Sequence, residues 1–174
     1  MNDYAEIPLA EAYELQNAGG LVLVCTRGPD GRYDLAPVAW CCPLDNGPAS
    51  RLILVLDTGH RTYEDLSEAG EFAVALPATG QAELVRRAGS VSGHDVDKYG
   101  KLGIASFPAE KVDALVPEGV AGWLECRLLR IVVEGSSAVV MGEVLRAAAR
   151  PEAWKERLHF VREGLMFSPR DRIE

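Results

Sequence analysis

Leu21-Val22-Leu23-Val24-Cys25-Thr26 is the stretch from which the fold is read. It is apolar and largely β-branched, too short for a helix, and bounded by Gly19-Gly20 and Gly28-Pro29, so it predicts a buried strand. Pro29-Asp30-Gly31 supplies turn chemistry and an extended pattern resumes from Tyr33 to Cys42, which together read as a β-hairpin. Arg51 to Leu56, Glu71 to Leu76, Gly122 to Glu134 and Ser137 to Leu145 continue the strands, and Gly135-Ser136 closes a second hairpin. Its arms are apolar on both faces at Leu128-Leu129 and Val139-Val140-Met141. One face is therefore expected to meet a core, and the other a helix or a second subunit.

Helices are few and short in this reading. Thr62-Tyr63-Glu64-Asp65 resembles a capping box with Gly70 as its stop, and Gln81 to Ala88 ends at Gly89 in the same way. Ser92-Gly93-His94-Asp95 repeats the start signal before Val96 to Lys101 and a Gly103 stop. No repeat, low-complexity tract or linker divides the 174 residues, so one domain is expected. Many strands with short connecting helices favour a mainly β, barrel-like fold with helical plugs over an alternating α/β sheet.

Lys+Arg 18 against Asp+Glu 26 gives a net charge of -8, which repels the backbone that a nucleic-acid binder must neutralise. No apolar run has the length of a membrane span and the N-terminus lacks a secretory pattern, so a cytoplasmic protein is expected. Cys25, Cys41, Cys42 and Cys126 contain no CxxC, and His60, His94 and His159 are far apart, so no metal site is expected. Motifs for dinucleotides, nucleotides, zinc hydrolysis and acyl transfer are absent.

Three stretches carry the remaining chemistry. In Asp57-Thr58-Gly59-His60-Arg61-Thr62, free N–H groups, a hydroxyl and a guanidinium converge at a helix start, the arrangement that holds a phosphate. The plainer alternative is that Thr62 caps its helix and Arg61 is solvated. Gly89 to Lys98 repeats the design, with Ser92, His94 and Lys98 as the polar groups; its alternative is a surface lysine paired with Asp95. Asp34 to Pro43 interrupts a strand with prolines, placing it at a sheet edge where main-chain groups can meet a planar heterocycle. Trp40 is either a stacking platform or a core aromatic, and Cys41 a nucleophile or a structural thiol.

Taken in order, these stretches resemble the flavin-reductase-like, flavoredoxin-type family. The resemblance runs from about Gly20 to the C-terminus. Its pieces are Leu21 to Thr26 with Asp34-Leu35-Ala36-Pro37-Val38-Ala39-Trp40, then Arg61-Thr62-Tyr63-Glu64-Asp65-Leu66 and Gly70 to Pro77. Gly89 to Lys98, Leu124-Glu125-Cys126-Arg127, Gly142-Glu143-Val144 and Leu158-His159-Phe160 follow.

The resemblance implies an FMN-binding split β-barrel, Greek-key-like, in a homodimer. It implies a flavin ring near Ala39, Trp40, Cys41 and Cys42, and a phosphate near Arg61, Thr62, Ser92 and Lys98; Asp57, Thr58 and His94, from the two anion-holding stretches, complete the expected cofactor-binding residues. His159 is placed by position at the open ring face. NADH or NADPH would give a hydride to FMN, or to FAD as substrate or cofactor, with electrons passing to free flavin, a metal complex or a protein acceptor. The alternative within the same fold is a non-catalytic barrel that holds flavin, haem or another cofactor; a dimeric barrel without cofactor is the third. The family often has Asn at Asp34 and Asp65 and Arg at His94, and each replacement makes the phosphate region more negative or less reliably positive.

Overall fold

The computed structural model describes residues 19–45 and 49–168. Strands β1 (Val22–Arg27), β2 (Tyr33–Val38), β3 (Cys41–Asp45) and β4 (Arg51–Asp57) lead into helix α1 (Arg61–Ala69) and β5 (Glu71–Leu76). A 3₁₀ turn (Thr79–Gln81), α2 (Ala82–Gly89) and α3 (Lys98–Leu102) precede the short pair β6 (Ser106–Pro108) and β7 (Leu115–Pro117). The long arms β8 (Gly122–Glu134) and β9 (Ser137–Ala149), a 3₁₀ turn (Pro151–Glu156), and the pair β10 (His159–Arg162) and β11 (Leu165–Phe167) complete the order.

Seven strands form one antiparallel sheet in the order β2-β1-β5-β8-β9-β4-β3. Its two edges, β2 and β3, are consecutive in the chain and joined only by Ala39 and Trp40. Laid flat, six strand spacings would separate those edges by roughly 29 Å, whereas the link from Val38 to Cys41 reaches roughly 10 Å. The sheet must therefore curl, and Val55 N–H donates to Trp40 O at 3.0 Å beside the seam. The fold is mainly β, a split barrel with a few short helices.

The unbroken apolarity of β1 is explained by two cores, one on each face of the sheet. Val22 and Val24 point into a cluster with Leu54, Phe72, Val74 and Val140, which α1 plugs with the fully buried Leu66. Leu23 and Cys25 face a second cluster with Leu35, Ala73, Val85 and Tyr99, covered by α2 and α3. Period-2 alternation thus persists under a uniformly apolar sequence.

Several local expectations need correction. The extended stretch from Tyr33 to Cys42 is two strands, because the chain leaves one sheet edge and enters the other at Ala39 and Trp40. Thr62 is no cap: α1 begins after His60, which makes no side-chain cap bond, and Thr62 lies inside the first turn. Ser92 does not open α3, whose cap is Asp97, with its carboxylate accepting from Gly100 N–H at 3.2 Å. Gly89 belongs to α2, which ends at a right-handed Ser90. Gly70 and Gly103 do stop α1 and α3 in left-handed conformations, φ 71° and 63°.

Candidate functional site

At the seam the first turn of α1, the inner end of β2 and the loop after α2 enclose a cleft of about 280 Å³. Arg61, Thr62, Ser92 and Lys98 all line it, together with Asp34 and Pro37. Two stretches remote in sequence therefore meet at one place. The meeting depends on β2, which carries Asp34 and Leu35 against both α1 and α3.

Lys98 is buried, not surface-paired with Asp95; its ammonium donates to Leu35 O at 2.8 Å and lies 3.3 Å from Asp34 Oδ1. Arg61 is likewise withdrawn from solvent, pairing with Asp65 along the helix and with Asp30 at 2.6 Å. Thr62 Oγ1 donates to Asp34 Oδ2 at 3.5 Å, and Thr26 Oγ1 donates to Asp65 Oδ2 at 3.1 Å. Burial pushes the Asp65 carboxyl above its usual value, against the opposing pull of Arg61 and Thr26, whereas Arg61 and Arg32 hold Asp30 well below. Asp34 Oδ1 is buried and accepts no hydrogen bond, the Lys98 approach being an ion pair by distance only.

Not every expected residue joins this cleft. Asp57 Oδ1 accepts from Gly59 N–H at 2.8 Å and Thr58 N–H donates to Ser136 O at 2.8 Å, which turns both toward the β8–β9 hairpin. His94 sits outside the cleft with Nε2 at 2.9 Å from Glu64 Oε2, while Ser92 Oγ accepts from the His94 N–H at 3.1 Å. Ala39 instead lines a neighbouring groove of about 700 Å³ with Leu21, Val85, Phe160 and Met166, and the two cavities share Pro37, Gly89 and Ser90 as a common wall.

Trp40 is 50% exposed at the seam rather than in a core. Cys41 and Cys42 point to opposite sides of β3, the first packed against the barrel core and the second exposed. Burial pushes the Cys41 thiol up to about 12, so it is protonated at neutral pH and unsuited to nucleophilic attack. His159 lies in β10, opposite Phe167 of β11 and bridging Gly20. Among the described residues no three His, Cys, Asp or Glu side chains are placed to hold a metal, and no helix is long and apolar enough to cross a membrane.

The buried carboxylates Asp34 and Asp65 were readable as acidic neighbours of this region, but their pairing with Lys98 and Arg61 was not. Of the residues lining the wide groove, Ala39 is an expected ring neighbour and Phe160 belongs to the Leu158-His159-Phe160 piece of the resemblance, whereas Leu21, Val85 and Met166 carry no sequence signal for a site.

A curled seven-stranded sheet with a two-sided core and a cleft at its seam defines a split-barrel protein. Residues 15–168 match the family described as Flavin reductase like domain, and the chain belongs to that family. It is 30% identical over 159 residues to the uncharacterized protein YddH of Escherichia coli K12, covering 90% of this chain and 84% of that one. It is 31% identical over 136 residues to a flavin reductase (NADH) of Kitasatospora aureofaciens, covering 76% and 67%. An FMN-binding domain of a flavin reductases-like enzyme from Shewanella baltica superposes with a TM-score of 0.76 at 28% identity, covering 98% and 96%.

Proposed function

We propose that this chain is a flavin-dependent oxidoreductase of the flavin reductase type, taking a hydride from NADH or NADPH and passing electrons to free flavin, a metal complex or a protein acceptor. The observation that carries this reading is the pair of adjoining cavities at the seam. One is small, polar and set at a helix start; the other is wide and largely apolar, within the size range of cofactor sites. Family membership, the NADH-using relative and the FMN-binding structural neighbour point the same way.

The residues fit a flavin's ring and polyol chain. Leu21, Val85, Phe160 and Met166 offer apolar surface to a ring, and Ser90 and Ser92, which line the small cleft, offer hydroxyl groups to a polyol chain. When bound, the flavin supplies the hydride-accepting chemistry, so the protein needs no nucleophile. The chain's own contribution is placement: Pro37, Gly89 and Ser90 form the wall where ring and side chain part. Thr62 and the uncapped first-turn N–H groups of α1 orient the polar end. A homodimer belongs to this reading, because Leu129, Val132 and Val133 leave exposed apolar side chains on the β8 arm.

Anaerobic stopped-flow mixing of the protein and flavin with NADH or NADPH tests it. Loss of the oxidised-flavin band far faster than in protein-free controls is expected, and equal rates would overturn the proposal. Flavin retained through gel filtration without nicotinamide oxidation would identify the non-catalytic binder instead.

A further inference from the structure

Arg157 lies between the 3₁₀ turn Pro151–Glu156 and β10. Its backbone bridges Ala78, and the next residue, Leu158, donates its N–H to Pro77 O at 3.1 Å, which fixes the root of the side chain beside the end of β5. Gly20 leaves room for the guanidinium, since a Cβ there would lie 2.6 Å from Arg157 Nη2. The residue is only partly exposed, and its Nε is buried without a hydrogen-bond partner.

Arg61, Lys98 and Arg146, which are also withdrawn from water, are each held by a carboxylate. Among the described residues no carboxylate pairs with Arg157. The titratable group that bears on it is the Cys41 thiol, which burial keeps protonated at neutral pH. Burial pulls the Arg157 guanidinium below its usual value, yet a guanidinium stays charged at neutral pH. A cation withdrawn from water without a counter-ion is costly, and an anion placed beside it offsets that cost.

Room for such an anion exists. Arg157 lines a cavity of about 270 Å³ at the ends of β5, β8 and β9, with Leu76, Leu124, Ala147 and Ala149 in its walls. Trp123 borders it too, but its indole N–H is given to Glu125. No carboxylate, hydroxyl or amide side chain lines this cavity, and it shares no residue with either cavity at the seam. An apolar chamber with one cation in its wall suits an anion of single charge with an apolar body. A carboxylate matches the two parallel N–H groups of a guanidinium, whereas a phosphate dianion would bring a second charge and further oxygens that these walls could not bond. An apolar cavity of roughly 150 Å³ accepts benzene, so this one has space for a ring-sized tail and its carboxylate.

We propose that the cavity at the ends of β5, β8 and β9 binds a small organic carboxylate with a ring-sized apolar tail, held by the Arg157 guanidinium. The site is separate from the seam and stands whether or not the protein takes flavin.

Benzoate is the probe, with benzamide as its uncharged counterpart and acetate as the carboxylate without a tail. Millimolar benzoate raises the melting temperature of the whole protein, prepared without flavin, and benzamide and acetate at the same concentration do not. Isothermal titration then gives a benzoate affinity that Arg157→Met lowers by at least about tenfold. This variant is expected to fold, because an apolar chain replaces an unpaired cation withdrawn from water. Ala147→Leu, which fills the cavity from the position paired with Leu124, produces a similar loss. Wild type that benzoate does not stabilise overturns the proposal, as does equal binding of benzamide or acetate, or a benzoate affinity that either variant leaves unchanged. A loss caused by Arg87→Met instead would put benzoate in the wide groove at the seam and overturn it as well. If one cavity variant does not fold, the other decides together with the benzamide comparison.

Discussion

Glu125 is the residue on which most of one loop depends. It is fully buried in β8 and accepts from Trp123 Nε1 at 3.0 Å, Glu110 N–H at 2.9 Å, Lys111 N–H at 2.5 Å and Arg146 Nη1 at 3.1 Å. Glu125→Ala strands these donors, and a loss of about 3–5 kcal/mol in urea unfolding is expected, the usual cost of breaking a buried charge pair from one side. Burial alone would raise this carboxyl, but the Trp123, Lys111 and Glu110 hydrogen bonds and Arg146 together hold it below its ordinary value. Its folded form therefore releases the proton more readily than its unfolded form. The stability it gives is complete above the unfolded value of 4.5 and is lost as pH falls from there through the folded value. Unfolding free energies followed from neutral pH into the acid range should show this loss in wild type and a shallower one in Glu125→Gln. Nothing local to the sequence marks Glu125 as different from an exposed strand glutamate, because its partners come from a loop and from β9.

At the level of elements, the β8–β9 pair and the strands beside it were legible because period, turn residues and length agreed. Gly122–Glu134 is the strand read from the sequence, and Gly135 turns the chain with φ 59° as a hairpin requires. β9 runs on to Ala149, past the expected Leu145, since Ala147, Ala148 and Ala149 are too small to signal a strand but pair with Leu124, Trp123 and Gly122. The two helix starts depart from the sequence pattern for different reasons: Ser92 opens only an isolated turn, with α3 starting behind Asp97, whereas Thr62 lies inside α1. Thr62 is drawn inward by Asp34, a contact that sequence spacing does not contain. Gly142 shows how closely strand and core fit, because a Cβ there would lie 2.7 Å from Phe72 Cζ. Gly142→Ala should cost about 1–3 kcal/mol through overpacking, read as a lowered melting temperature with an unchanged far-ultraviolet circular dichroism spectrum.

For the whole molecule, the net charge and the family order of the motifs set the class, while the distribution of apolar surface had to come from the fold. Leu129, Val132 and Val133 are 45%, 41% and 50% exposed on one arm. Sedimentation equilibrium is expected to give a dimer, and Val132→Lys with Val133→Lys a monomer that keeps its secondary structure; a monomeric wild type would remove the homodimer from the proposal.

The seam has a kinetic consequence. Every pairing in the large sheet except β1–β2, β3–β4 and β8–β9 joins strands separated by other elements, so the barrel belongs to the slow-folding, high-contact-order topologies. Ala39 and Trp40 keep the β2 and β3 edges together throughout, so closure waits on the distant pairings β1–β5, β5–β8 and β4–β9. Both seam cavities use β2 or the residues just after it, which places ligand contacts beside a local link rather than a long-range pairing. A ligand lodged there ties that link to α1, α2 and the β10–β11 pair, and so draws distant parts of the chain into one folding unit.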